Sequence, residues 1–341
     1  MTTLLQVEHV HVGYRSGTDD VSAVSDVSLE IAEGEIFGLV GESGCGKTTL
    51  ALALMGLLPG SAEVHGAIRF QGRDLAGLDD DDMRALRGDR ISMVFQDPMT
   101  SLDPCFSIGS QVAETIRAHR STDRRGARER AIELLTDVGI PEPERRYDDP
   151  PHRLSGGMRQ RVVIATALAN EPALLIADEP STALDVTIQS QVLDLLRDLR
   201  KTHHTTILLI THDLGVVAQI CDRVGVMYAG QLVEVAQVDD IFRGTRHPYT
   251  QALLAALPSA GQAKGSLRVI EGRVPDLVDP PPGCRFAPRC PARLPECDRV
   301  PPLAAGSKDH HVACWLSDAT RAAGGEAPLE PMDRAAGGAN A

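Results

Sequence analysis

Eight consecutive residues, GESGCGKT at Gly41–Thr48, have the types and spacing to hold phosphate. They fit G-x-x-x-x-G-K-[ST], in which glycines let backbone N–H groups turn inward around phosphate oxygens. Lys47 then reaches the β- and γ-phosphates, and the Thr48 hydroxyl ligates Mg²⁺. Glu42, Ser43, Gly44, Cys45, Gly46 and Thr49 complete the expected cradle. Cys45 sits where the motif leaves its side chain free, and reads as a small loop residue rather than a redox thiol. A second acidic element, LLIADEP, places Asp178 at the carboxyl end of an apolar run and Glu179 one residue further. Ligands bind at that edge of open α/β sheets. Asp178 is suited to the magnesium shell through water, and Glu179 to orienting or deprotonating an attacking water.

The elements that must position these residues form an α/β sheet. The runs EIFGLV (35–40), ISMVFQ (91–96), LLIAD (174–178) and TILLIT (206–211) read as buried strands. GVMYAGQLVEVA reads as a hairpin turning at Ala229–Gly230. Helices are expected over Lys47–Leu58 and over Val186–Thr202, where Ile188, Val192, Leu195, Leu196 and Leu199 recur at helical spacing. Helical patterning between Gln111 and Tyr147 predicts an inserted helical subdomain, about 97–170 with its flanks. After Pro258 the composition changes: nine prolines between Pro275 and Pro302 exclude regular helix and central strand. The sequence thus divides into a cassette over 1–258, an irregular Pro/Cys-rich extension over 259–319, and a tail over 320–341 expected to be disordered.

A formal charge of −13 argues against general nucleic-acid binding, which draws most of its affinity from phosphate neutralisation. The N-terminus lacks a basic, then apolar, secretory signature. LALALMGLL (Leu50–Leu58) is about half of what a bilayer span needs. These features predict a cytoplasmic chain that can dock on a membrane protein. In a reducing cytosol, structural disulfides are disfavoured, which shifts the reading of seven cysteines toward metal.

Four further motifs make the reading specific: FQDP at 95–98, LSGGMRQR at 154–161, DEPSTALD at 178–185 and THD at 211–213. With the phosphate loop, in this order and spacing, they resemble the ATP-binding cassette of ABC transporters over roughly Leu4 to Leu257. The resemblance implies that Tyr14 stacks on adenine, that Gln96 senses magnesium and the γ-phosphate, and that His212 contacts the γ-phosphate. It implies that Ser155, Gly156, Gly157 and Met158 open a helix whose N-terminus binds the γ-phosphate held by an opposing cassette, with Asp185 at that interface. Met158 stands where the general signature has glutamine, and cannot donate the amide hydrogen bonds a glutamine can.

RHPYTQALLAALP (246–258) and PPGCRFAPRCP (281–291) resemble the C-terminal extension of ATPase subunits serving dipeptide, oligopeptide and nickel importers, over roughly His247 to Trp315. That group pairs two different, related ATPase subunits under two permeases, fed by an extracytoplasmic binding protein, at the cytoplasmic face of the membrane. Peptide uptake is the leading expectation, with nickel or another small solute as the alternative cargo. Rivals of other classes are a nucleic-acid-directed cassette ATPase and an iron- or redox-responsive regulator of uptake.

The tail cysteines run C-x5-C-x6-C-x16-C through Cys284, Cys290, Cys297 and Cys314. No C-x2-C knuckle or ferredoxin run is present, so spacing alone leaves a cluster, zinc and simple packing open. The family resemblance associates these four with a [4Fe–4S] cluster. Cys105 and Cys221 are expected to pack, and His310 and His311 to be solvated, though near enough to Cys314 to be considered as ligands.

Overall fold

The computed structural model describes residues 2–16, 19–181, 185–257, 270–306 and 309–323. The chain opens with β1 (Thr3–Ser16), β2 (Asp19–Ala32), β3 (Ile36–Val40), α1 (Lys47–Leu54), β4 (Ala62–Phe70), β5 (Arg73–Asp74), α2 (Asp80–Leu86) and β6 (Ile91–Val94). A helical run follows: α3 (Pro98–Ser101), α4 (Ile108–His119), α5 (Arg124–Asp137), α6 (Pro143–Arg146) and α7 (Gly156–Ala167). The chain returns through β7 (Leu174–Asp178), α8 (Val186–His203), β8 (Thr206–Thr211), α9 (Leu214–Ile220), β9 (Arg223–Tyr228) and β10 (Gln231–Gln237). Beyond α10 (Val238–Gly244) and α11 (Pro248–Ala255) come β11 (Ala304–Ala305), β12 (His311–Val312) and α12 (Asp318–Ala323).

Two sheets result. The larger runs β11-β12-β10-β9-β3-β8-β7-β6, and its strands β9, β3, β8, β7 and β6 are mutually parallel. Its central strands are apolar without a break because both faces are covered. Phe37, Leu39, Leu174, Ile176, Leu208 and Ile210 pack on one side with α1 and the smaller sheet. Ile36, Leu175, Ala177, Ile207 and Leu209 pack on the other with the helices. The four predicted strands are therefore real, though the second ends at Val94 rather than Gln96, which frees Gln96 to stand on a loop. The hairpin turns where expected: Ala229 (φ 45°) and Gly230 (φ 84°) are both left-handed, the geometry of a tight two-residue turn.

The smaller sheet, β2-β1-β4-β5, is antiparallel and was not foreseen. Its pairing shifts register between Val7 and Val10 and again by Val12, where His9 adopts φ 49°. Such bulges break the period-two signature on which strand recognition rests. The inserted helices form a layer whose starts are capped by side chains: Ser107 for α4, Asp123 for α5 and Ser155 for α7 each accept a backbone N–H.

The extension follows the proline argument in its 3₁₀ turns and two-residue strands. It also joins the sheet, since β12 pairs with β10 through Glu234–Val312 and Val235–His311. One expectation changes, and others fall outside the described residues. The boundary at Pro258 lies outside the described residues, and so does 324–341 of the tail expected to be disordered. Residues 318–323, however, form α12, with Thr320 fully buried and its hydroxyl donating to the Val312 carbonyl. That anchor is why order extends past 319.

Candidate functional site

The phosphate loop leaves β3 at Val40 and enters α1 at Lys47. Gly46 is the N-cap residue at φ 98°, and a Cβ there would run into the Ala23 carbonyl oxygen. Only glycine meets both demands. No side chain caps α1, so its first N–H groups are available to an anion. Lys47 is buried at 5% exposure, and its ammonium donates to the Gly41 and Glu42 carbonyls at 2.8 and 3.1 Å. It thus lies across the loop rather than out in solvent.

Asp178, at the end of β7, is 2% exposed. Burial raises its carboxyl above the ordinary range, partly countered by a hydrogen bond with Thr48. Its Oδ1 is buried with no hydrogen-bond partner. A buried carboxylate oxygen without a partner, beside a threonine hydroxyl at a phosphate loop, suits a hard divalent cation that takes oxygen ligands. The residues present therefore fit Mg²⁺, which Thr48 and Asp178 would hold, Asp178 through water.

Glu179 follows with a left-handed backbone (φ 47°), unusual for a non-glycine residue and common where geometry is held for function. Its carboxylate lies between two of the expected site residues: Gln96 Nε2 donates to Oε2 at 3.2 Å, and His212 Nδ1 lies 3.2 Å from Oε1. Gln96, Glu179 and His212 come from three different strand ends, so this convergence is a property of the sheet edge. Tyr14, on β1, is half-buried beside the same loop, and its hydroxyl donates to Thr49 Oγ1 at 3.4 Å.

The signature residues sit elsewhere, at the start of α7 in the helical layer. Ser155 caps the helix by accepting from Met158 N at 3.3 Å, Gly156 faces open space, and a Cβ on Gly157 would press on Ile188. The Met158 side chain packs against the core formed with the helices. Asp185 is exposed and caps α8 by accepting from Ile188 N at 2.9 Å.

The cysteines divide differently from expectation. Cys45 is fully buried rather than free: its sulfur packs under the loop, 3.6 Å from Lys47 Nζ, and burial raises its thiol despite that ammonium. Cys221 packs as predicted, whereas Cys105 is exposed in the loop before α4. In the tail, Cys284, Cys290, Cys297 and Cys314 are all free thiols gathered in one region, with Cys284 N donating to the Cys297 carbonyl. Burial raises Cys284 to about 11 and Cys314 to about 12, and the neighbouring thiols add to both. Among the described residues, however, no group of three or more His, Cys, Asp or Glu stands as a metal centre. As placed, the four sulfurs do not form the expected [4Fe–4S] ligand set. His310 is corrected as well: it is 3% exposed and bonded to Glu234, not solvated, while His311 Nδ1 turns to the Asp309 carbonyl.

Sequence reasoning missed the residues that join the tail to this site. Arg289 Nη1 lies 3.1 Å from each carboxylate oxygen of Glu42 and 3.3 Å from the Tyr228 hydroxyl. Arg285 donates to the Ala229 carbonyl and, at 2.8 Å, to Ser25 Oγ. Tyr249 accepts from Glu42 N at 3.0 Å. Phe286, Tyr228 and Tyr249 meet in tilted and edge-on contacts with centroids 4.6–5.4 Å apart, a concentration of rings in a chain only 3% aromatic. The available signal was two arginines spaced between cysteines in CRFAPRC.

A groove of about 610 Å³ opens between β6 and the helical layer, lined by Phe95, Leu102, Phe106, Gln111 and Val163. Phe95 and Phe106 are 43% and 55% exposed there. Among the described residues no helix is long and apolar enough to cross a membrane.

Comparison with known proteins shows the family of the chain. Residues 24–182 match the ABC transporter family, and residues 233–297 match the oligopeptide/dipeptide transporter C-terminal region. The dipeptide transport ATP-binding protein DppD of Bacillus subtilis is 49% identical over 321 residues, spanning 93% of this chain and 96% of that one. The oligopeptide transport ATP-binding protein OppD of Mycobacterium tuberculosis is 49% identical over 92% of this chain, which spans about half (52%) of that longer protein. Among solved structures, the dimeric ATP-binding cassette MJ0796 bound to ADP and Pi is 29% identical with a TM-score of 0.62, covering 69% of this chain and 99% of that one.

Proposed function

Because the chain belongs to the ATP-binding proteins of the peptide ABC transporters, we propose that it hydrolyses ATP to power uptake of di- or oligopeptides through partner permeases. The observation that carries the reading is the bracketing of Glu179 by Gln96 and His212 at a strand edge that also presents Lys47, Thr48 and Asp178. In this reading Gly41–Thr49 wrap the phosphates, Lys47 exchanges loop carbonyls for β- and γ-oxygens, and Tyr14 stacks on adenine. Glu179 takes the proton of the attacking water, oriented by Gln96, while His212 holds the γ-phosphate. Bound Mg²⁺, held by Thr48 and Asp178 with Gln96 nearby, would screen the phosphate charge.

Ser155, Gly156, Gly157 and Met158 face away from their own phosphate loop in function and complete the site of a second, related cassette, with Asp185 at that contact. A heterodimer with a paralogous ATPase is the assembly proposed. The groove at Phe95 and Phe106 receives the permease, placing the chain peripherally at the cytoplasmic face of the membrane, with an extracytoplasmic binding protein delivering cargo. Nucleic acid is not a partner in this reading. The [4Fe–4S] centre implied for the tail would take Cys284, Cys290, Cys297 and Cys314 as its ligands. Iron and acid-labile sulfide in anaerobically purified protein test it, and folded, metal-free protein contradicts it.

The function as a whole is tested by reconstituting the chain with its permeases and sister ATPase in vesicles. Peptide-stimulated phosphate release with ATP-dependent peptide uptake supports it. Uptake of nickel instead of peptide contradicts the cargo, and stimulation by polynucleotide contradicts the class.

A further inference from the structure

We propose that Arg289 of the C-terminal extension is a positioning residue of the nucleotide site: it neutralises and fixes Glu42, the second residue of the phosphate loop. The proposal rests on the ATP-hydrolysing reading above. A carboxylate inside a phosphate loop opposes a polyanionic ligand, because like charges at short range in a partly buried site repel strongly. Glu42 is that carboxylate, and its side chain is only 27% exposed. Arg289, whose side chain is 6% exposed, presents one nitrogen to both of its oxygens at 3.1 Å.

The guanidinium is not free to follow a moving Glu42. Its Nε donates to the Glu271 carbonyl at 2.9 Å and its Nη2 to the Ile270 carbonyl at 3.1 Å. A planar fork pinned on two sides is a preorganised partner, which a lysine could not reproduce. The backbone of Glu42 is held in parallel, since its N–H donates to Tyr249, which packs on Phe286 three residues before Arg289. A second route runs through Arg285. It grips Ser25 and the Ala229 carbonyl at the β9–β10 turn, and Gly230 N of that turn donates to the Cys45 carbonyl at 3.0 Å. The turn between Cys284 and Cys290 thus reaches the phosphate loop directly through Arg289 and indirectly through Arg285 and the Ala229–Gly230 turn. The extension is a built part of the nucleotide site.

The test measures binding of Mg²⁺ with adenylyl imidodiphosphate to the full chain by calorimetry. Arg289→Ala is expected to weaken binding about tenfold, less than the loss of a fully buried charge partner because Glu42 keeps some contact with solvent. Adding Glu42→Gln to that variant should restore most of the loss, since the uncompensated carboxylate is then gone. Arg289→Lys should fall between wild type and Arg289→Ala. If Arg289→Ala does not fold, Glu42→Gln alone carries the test and should bind more tightly than wild type. Wild-type affinity in Arg289→Ala overturns the proposal. So does a double variant as weak as Arg289→Ala, which reduces Arg289 to a tail anchor, and so does Glu42→Gln binding no tighter than wild type. A wild-type chain that binds no nucleotide overturns the ATP reading itself, and the proposal with it.

Discussion

Glu234 on β10 and His310 in the tail bring Oε1 and Nε2 to 2.7 Å in a site closed to solvent. Burial alone would raise the Glu234 carboxyl. Hydrogen bonds from His310, the Arg246 N–H and the Thr245 hydroxyl outweigh it and hold the group below its ordinary value. One carboxylate therefore ties together β10, the start of α11 and the last strand of the tail. His310→Ala leaves that carboxylate short of a donor, at about 1–3 kcal/mol. A lower urea midpoint and faster proteolysis within 299–323 are expected. An unchanged midpoint would show that the pairings of β12 with β10 and β11 and the Thr320 bond hold it without His310.

His247 predicts acid sensitivity. It is fully buried, which lowers its imidazole from 6.5 to about 4, and its Nδ1 accepts from Tyr249 N at 3.1 Å, fixing the neutral ring. With the folded value depressed, the unfolded chain binds the proton more readily. Stability is then complete above about 6.5 and falls as pH drops through 4, by about 3 kcal/mol over that window. Glu234 has the same sign: its contribution is present above the unfolded carboxylate value and is lost at lower pH. Urea midpoints measured from pH 7 to pH 4.5 should decline, and His247→Gln should flatten the part between 6.5 and 5.

Asp178→Asn probes the metal site. The amide cannot replace a carboxylate as a hard-cation ligand, and the unpartnered Oδ1 loses its charge. The magnesium-dependent part of nucleotide affinity should fall about 10–100-fold, the range seen when a partner of a metal shell is removed. Chelation of magnesium should then have little further effect on the variant, although it weakens wild type. Equal magnesium dependence in both proteins would remove Asp178 from the site.

How much of this was legible in the sequence depends on the range of the interactions. Gly41–Thr48, the apolar strands and the Ala229–Gly230 turn are local signals, because each rests on residues a few positions apart, and all three stand where predicted. That Gln96, Glu179 and His212 serve one nucleotide site was implied by the family resemblance; their contact at the ends of β6, β7 and β8 appears only in the fold. Contacts across long stretches of chain were invisible: Arg289 meets Glu42 from 247 positions away, and His310 meets Glu234 from 76. An arginine destined for a partly buried ion pair looks the same in sequence as one on a wet surface. Cys105 failed for the opposite reason, since a small apolar residue in a loop has no covering element to bury it.

Glu179→Gln tests the central claim most directly. It keeps the shape between Gln96 and His212 but removes the base, so the full chain should still bind MgATP with near wild-type affinity. Its steady-state phosphate release, measured with the partner ATPase present and the partner's own turnover subtracted, should fall at least about 100-fold. Turnover at the wild-type rate would contradict the assignment of Glu179 as the base and, with it, the account of how this sheet edge hydrolyses ATP.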